Sequence, residues 1–286
     1  MLERIQEQQF RNFLRTAALI VGMLALMLTV GFLFMGWEGI LWAAILGGFS
    51  IFATYRVPTR MIMRFYRAQP LPGQQLTDLH HINYQFAKKA GLSVVPTLYY
   101  IPSNQVNAFA TGSKEDPAIA LTYGLLRSLT LKEISGVMAH ELSHIVNNDV
   151  RLQQMAMLIN RMTRVFSFVG QLLFIFNLSS FMMGTNAISW LAIILLIIAP
   201  YLANVMQMAL SRTREFDADL QAAKITEDPN ALADALQRLH SINRYRMPAF
   251  QRRLPIWLST HPNIEERIKR LRDLAPRFKM RFPIFL

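Results

Sequence analysis

The sequence predicts a mostly helical α+β membrane protein. It would have four transmembrane helices in two hairpins, and a small antiparallel sheet beside a helix carrying His140-Glu141-Leu142-Ser143-His144. Three observations lead there. Hydrophobic residues make up 52% of the chain and charged ones only 17%, where a soluble domain averages about a quarter charged; the mean hydropathy is +0.24. Uncharged runs long enough to cross a bilayer occur in two separate places, each flanked by arginine. Between them the apolar period changes from helical to alternating and back to helical.

Residues 1–15 are polar and basic, with Arg4, Arg11 and Arg15. Residues 16–35 form an uncharged run of the length a bilayer needs, about 20 residues. The run exceeds a signal-peptide core and lacks a small-residue cleavage site, so it is expected to be retained. Gly36-Trp37-Glu38 makes a short acidic turn, and residues 39–55 form a second span followed by Arg56, Arg60, Arg64 and Arg67. Arginines flank the two open ends of this hairpin and none lies in its turn. The positive-inside rule therefore puts the N-terminus, and everything after Arg56, on the cytoplasmic side.

Residues 69–73, with two prolines and a glycine, read as a linker. Residues 77–89 then predict an amphipathic helix with Leu79, Ile82 and Phe86 on one face and Gly91 as its stop. Its adjacent His80 and His81 point in different directions, as solvated surface residues would. Residues 96–101, 105–111 and 118–122 are short runs rich in β-branched and aromatic residues, separated by Pro-Ser-Asn and Gly-Ser-Lys-Glu-Asp-Pro. They predict the small sheet.

Thr130 and Glu133 form a capping-box pattern, and Leu131, Ile134, Met138, Leu142 and Ile145 supply an apolar stripe, so the His-Glu-x-x-His stretch falls on a helix. Asn147-Asn148-Asp149 breaks it and begins a new helix carrying Arg151, Arg161 and Arg164. Residues 165–211 contain no charge at all. Gly184-Thr185-Asn186 divides them into spans over 165–183 and 188–210, and basic residues again flank both outer ends. A buried helical hairpin of a soluble domain is the other reading of this stretch. Beyond it, Asp228-Pro229 starts a helix with Leu232, Leu236 and Leu239 in register. Pro262 opens a last one carrying Ile264, Ile268, Leu271 and Leu274. The resulting division is 1–68, a transmembrane hairpin; 69–160, the sheet and signature helix; 161–211, a second hairpin; and 212–286, the remaining helices.

Histidines four apart share a helix face one turn apart, so His140 and His144 can reach one ion, while Glu141 stays off it and can take a proton from bound water. This is the zinc-protease signature. With no cysteine in the chain, any zinc must take His and carboxylate ligands, and a catalytic site needs a third beside an open position for water. Glu215 is the attractive candidate, on a helix four residues before Asp219. Asp219 can accept the free ring N–H of a ligand histidine. On its own, Glu-x-x-x-Asp is an ordinary solvated helix face.

Ala-His-Glu-Leu-Ser-His, Ser-Arg-Thr-Arg-Glu-Phe-Asp-Ala-Asp and Ser-Thr-His-Pro followed by Arg267 resemble the HtpX-type membrane zinc metalloproteases, relatives of the CAAX prenyl proteases among the gluzincins. The resemblance covers essentially the whole chain. It implies one zinc ion per chain held by His140, His144 and Glu215, with Glu141 as general base. It further implies that Asn107-Ala108-Phe109-Ala110 is an edge strand holding an extended substrate by strand addition; the plain reading of that stretch is an ordinary hairpin strand. His261 occupies a position associated in such proteases with stabilising the tetrahedral oxyanion, and a histidine at a helix start is the other reading.

If the fourth span ends near Leu210 and stays helical, Glu215 lies only about 7 Å beyond it. The expected substrates are therefore membrane proteins cut near the cytoplasmic face of a bacterial-type inner membrane, with both termini and the active site cytoplasmic and a role in quality control. The alternatives are a CAAX-type processing protease and a non-catalytic zinc-binding scaffold, for which His240 or His261 would close the site. A transporter is disfavoured because the spans hold no ionisable residue. The net charge of +12 gathers beside apolar segments and not in a basic, aromatic-interleaved motif. The lipid bilayer is thus the expected partner, and nucleic acid is not.

Overall fold

The computed structural model describes residues 2–55, 58–72, 76–176, 178, 190–246 and 264–279. In chain order its helices are α1 (Leu2–Tyr55), α2 (Thr59–Phe65), α3 (Thr77–Lys89), α4 (Tyr123–Ser128), α5 (Leu131–Val146), α6 (Asp149–Phe176), α7 (Trp190–Thr226), α8 (Pro229–Arg246) and α9 (Ile264–Lys279). Its strands are β1 (Gln69–Pro70), β2 (Thr97–Ile101), β3 (Ala108–Gly112) and β4 (Pro117–Thr122). The chain forms two compact units, Met1–Arg56 with Leu152–Thr213, and Val57–Arg151 with Arg214–Leu286.

The first unit is helical. Helix α1 is two arms joined at Met35 and Gly36, and Gly36 takes the left-handed conformation, φ +62°, that glycine tolerates. The arms double back on each other. A Cβ built on Gly39 would lie 1.8 Å from the Gly31 carbonyl oxygen, and one on Gly47 would lie 3.2 Å from the Met27 methyl group. Small residues thus let the two backbones touch where the hairpin is tightest. The acidic turn expected at residues 36–38 narrows to Met35 and Gly36, and Trp37 rejoins a helix.

Met23, Met27 and Val30 pack with Phe166, Leu196 and Leu210 to form this unit's core. Pro200 lies inside α7, and it has no N–H to give the carbonyl of Leu196 one turn back. Gln171 of α6 supplies the missing donor, its Nε2 lying 3.1 Å from the Leu196 oxygen. An orphaned carbonyl in an apolar core costs too much to leave. Among the described residues, two helices, Asn12–Leu33 and Ala192–Thr226, are long and apolar enough to cross a membrane, and Met35–Phe49 is a shorter apolar helix. The end of the expected third span, and the expected turn at 184–186, lie outside the described residues.

The second unit holds the sheet, in the order β1-β2-β4-β3. The sheet is mixed, which corrects the antiparallel expectation: β2 and β4 run parallel, while β1–β2 and β3–β4 are antiparallel. The reason lies in β4. Its six residues are all buried, and a strand apolar on both faces belongs in the middle of a sheet. Strand β4 therefore inserts between β2 and β3, and the connection between those two strands crosses over its end. Thr122 pins that crossing, its Oγ1 donating to the carbonyls of Gln105 and Asn107. Part of the expected linker also joins the sheet as β1. Strand β3 is left as an edge.

Candidate metal centre

Helix α5 starts with the expected capping box. Thr130 Oγ1 accepts from the Glu133 amide, and Glu133 accepts from the Thr130 amide at 2.7 Å. Ile134, Met138, Leu142 and Ile145 are buried in the core, whereas Leu131, expected in the same stripe, is exposed in the first turn. Gly136 allows α8 to approach closely: a Cβ there would meet the Leu232 nitrogen at 2.6 Å. This packing leaves His140 and His144 buried on the remaining face, their rings 4.7 Å apart and nearly perpendicular.

Glu215 of α7 comes to the same point. Its Oε2 lies 3.5 Å from His140 Nε2, its Oε1 lies 4.0 Å from His144 Nε2, and the two Nε2 atoms are 3.2 Å apart. One ligand atom from each residue lies within 4.8 Å of the others, and among the described residues this is the one group of His, Asp and Glu that can hold a metal ion.

Each histidine is oriented from behind by its own carboxylate. Asp219 Oδ1 lies 3.1 Å from His140 Nδ1, and Asp149 Oδ2 lies 3.0 Å from His144 Nδ1. Both contacts leave Nε2 directed at the common point. Asp149 is placed by the break after α5, where Asn148 takes φ +56° and turns the chain so that α6 begins with its carboxylate facing back. Arg214 caps the other oxygen of Asp149 at 3.1 Å. Arg267 of α9, only 5% exposed, forks onto both oxygens of Asp219 at 2.7 and 2.8 Å and reaches Glu215 at 2.7 Å.

Burial disfavours a charged His140, but its hydrogen bonds to Asp219 and Glu215 prevail and its pKa is pushed up to about 10. Burial likewise raises Asp219, yet the Arg267 charge and the hydrogen bonds from His140 and Arg267 bring it below the usual carboxylate range. The donor set fits a divalent cation on charge as well as on geometry. Asp149, Glu215 and Asp219 put three negative charges against the two positive ones of Arg214 and Arg267, so with the imidazoles deprotonated the centre is net negative and favours a cation.

Glu141 points elsewhere, to the edge strand: its Oε2 accepts from the Ala110 amide at 2.9 Å. That amide faces away from β4. Phe109 pairs with Ala120 and Ala110 with Ile119, and in an antiparallel pair alternate residues turn their backbone groups outward. Ala108 and Ala110 therefore present the free edge. Asn107 is exposed and sits just before β3, its backbone held by Thr122. Phe109 packs against Tyr66, with ring centroids 4.9 Å apart and the ring planes inclined at 51°.

The structure thus brings together His140, His144, Glu215 and Asp219, and sets Glu141 against Ala110. His261 lies outside the described residues. His80 contacts the Leu71 carbonyl and His81 contacts Gln85; neither joins the group, and nor does His240. Sequence reasoning missed the roles of Asp149, Arg214 and Arg267. Asp149 has the sequence signature of a helix start, and its spacing of five from His144 across an Asn-Asn break is the available signal. Arg267 carries no signal beyond the motif it follows.

The family model of peptidase family M48 matches residues 73–275, well over half of the chain. The chain belongs to peptidase family M48. Similar curated proteins include Protease HtpX of Legionella pneumophila (strain Lens), 34% identical over 285 residues that cover 92% of this chain and 99% of the relative. Protease HtpX homolog of Acaryochloris marina (strain MBIC 11017) is 36% identical over 294 residues, covering 94% and 97%. Among solved structures, the crystal structure of S. mikatae Ste24p is similar, with a TM-score of 0.55 and 21% identity. That match covers 93% of this chain and 66% of the other, a likeness of fold. Membership of M48 makes the chain a protease of a metal-dependent kind, and His140, His144 and Glu215 are where the fold offers a metal its ligands.

Proposed function

We propose that the chain is a zinc-dependent endopeptidase of the HtpX type that cuts membrane proteins near the cytoplasmic face of a bacterial-type inner membrane, in the service of membrane-protein quality control. The observation that carries the reading is the division of labour on α5: two histidines converge with Glu215, while Glu141 is held off by the edge strand. Two imidazoles and a carboxylate without thiolate suit zinc, and three ligands leave a position open for water. Zinc bound there would lower the pKa of its water toward about 7 and polarise a scissile carbonyl.

The chain's own residues supply the rest. Glu141 takes the proton of the attacking water and hands it to the leaving amine. The outward backbone groups of Ala108 and the outward carbonyl of Ala110, whose amide Glu141 holds, align an extended substrate by strand addition, with Asn107 at the end of that edge. Asp219 and Asp149 fix the tautomers of His140 and His144, and His261 is the proposed oxyanion partner. Four spans in two hairpins, with both termini cytoplasmic, follow from the arginine-flanked apolar runs.

A structural zinc site would be closed by a fourth protein ligand, and His240, one of the two candidates for it, does not join the group. A non-catalytic scaffold closed by His261 is the second reading. The likeness to Ste24p is one of fold and leaves a CAAX-type processing role as the lesser alternative.

Glu141→Gln in the purified full chain tests the reading. It should retain one zinc per chain while casein cleavage falls by about a hundredfold or more. Unchanged cleavage would remove Glu141 from its role.

A further inference from the structure

Helix α2 divides its surface three ways. Thr59 and Met63 face inward: Thr59 Oγ1 donates to the Asp116 carbonyl at 2.9 Å, and Met63 packs with Ile101, Ala118 and Ala120 on the sheet. Arg60 and Arg64, four apart, share an exposed face. Met61 and Phe65, also four apart, share the next one and are 66% and 83% exposed. Tyr66 and Arg67 extend this surface. Among the described residues, Arg60, Arg64 and Arg67 have no ion-pair partner.

Packing on the sheet therefore fixes which side of α2 looks out, and that side is both apolar and basic. Met61, Phe65 and Tyr66 are exposed together, with the Phe65 and Tyr66 rings 5.4 Å apart, and a contiguous apolar patch of this kind marks an interaction surface. An interfacial helix has use for both kinds of residue, since apolar groups enter the acyl boundary while arginines meet phosphates. The chain also limits where α2 can be. Tyr55 ends α1 and Thr59 begins α2, and four Cα steps reach at most about 14 Å.

We propose that the outward face of α2 docks on an anionic lipid headgroup surface, with Met61 and Phe65 inserted and Arg60, Arg64 and Arg67 on the phosphates. The inference rests on the reading that α1 crosses the bilayer. It deepens the substrate assignment, because Tyr66 at the end of α2 packs against Phe109 of β3. Docked in this way, α2 displays the edge strand beside the lipid boundary, where a chain leaving the membrane would meet it.

The cysteine-free chain allows single-site probes in the intact protein. An environment-sensitive fluorophore on Met61→Cys, in nanodiscs of phosphatidylcholine and phosphatidylglycerol, should be quenched by lipid carrying a shallow spin label. The same probe on Tyr84→Cys, exposed on α3, should not be. A probe on Val21→Cys, exposed on α1, should be quenched by a deep spin label. Each arginine beside an anionic surface is worth about fivefold in contact. Arg60→Gln, Arg64→Gln and Arg67→Gln together should therefore reduce quenching at position 61 to its level in pure phosphatidylcholine.

Quenching at 21 with none at 61 would overturn the docking while the spans stand, and would point to a protein partner for this face. No quenching at 21 would overturn the spanning reading and the docking with it. Quenching at 61 that ignores both lipid charge and the arginine changes would overturn the headgroup assignment.

Discussion

Arg267→Met removes the guanidinium in direct contact with both Glu215 and Asp219. Three of its contacts are shorter than 2.9 Å: two to Asp219 and one to Glu215. Both carboxylates are buried, so the change leaves them with only the His140 imidazole beside them in a poorly solvated pocket. Breaking a buried pair from one side costs about 3–5 kcal/mol. A bound divalent cation would compensate the same carboxylates, so the loss should be concentrated in the metal-free protein. For a unit of this size each kcal/mol moves Tm by about 2–4 °C, so the chelated variant should melt roughly 6–20 °C below the chelated wild type. With zinc the gap should close by at least half. Arg267→Lys keeps the charge but loses the fork onto Asp219 and should fall between the two. The assay is thermal unfolding of the full chain in one detergent, with and without zinc. Equal losses in the two forms would refute the argument that Arg267 and the metal neutralise the same charge.

Four further outcomes follow from the structure. His140 has its folded pKa raised from 6.5 to about 10, so its contribution to the metal-free fold is complete below pH 6.5 and is lost as pH rises through about 10; chelated protein should lose stability between pH 7 and 10, and a flat unfolding profile there would count against the assignment. Because zinc must displace that proton, its affinity should rise up to about tenfold per pH unit over the same interval, as followed by competition with a chromophoric chelator. Asp149→Asn should weaken zinc binding by about 10- to 100-fold while leaving secondary structure unchanged by circular dichroism. Gln171→Leu should cost the helical unit about 1 kcal/mol by orphaning the Leu196 carbonyl, but almost nothing when combined with Pro200→Ala, which restores a backbone donor; additive costs in that cycle would show that the Gln171 contact is incidental.

What the sequence made legible was whatever local chemistry decides. The capping box of Thr130 and Glu133, the one-turn spacing of His140 and His144, the Asn147–Asn148 break and the stop at Gly91 are short-range features, and all recur in the structure. The order of the sheet was not legible in that way. Three consecutive strands invite a meander, and only the burial of β4 on both faces explains its insertion between β2 and β3. Arg267 was hidden for a related reason. A basic residue on an amphipathic C-terminal helix is ordinarily solvated, and only α9 packing against α8 reveals that this one is buried. Asp149 lay between: its spacing was visible, but the left-handed Asn148 that turns it back toward His144 was not.

That contrast divides the centre into halves with different origins. His144 and Asp149 are five residues apart and are oriented by one turn of chain, so this half forms as soon as α5 and α6 meet at Asn148. His140 depends on Asp219, and Asp219 depends on Arg267, residues that lie on α5, α7 and α9 and are separated by long stretches of sequence. The second half therefore exists only when the C-terminal helix has docked. Before docking, Glu215 and Asp219 would face each other without the Arg267 guanidinium, Arg214 being engaged with Asp149, and their mutual repulsion would hold that side of the pocket open or protonated. Docking of α9 and binding of a divalent cation both relieve that repulsion, so each should favour the other. A metal centre built this way is completed by α9, and its affinity for the ion reports whether that helix is in place.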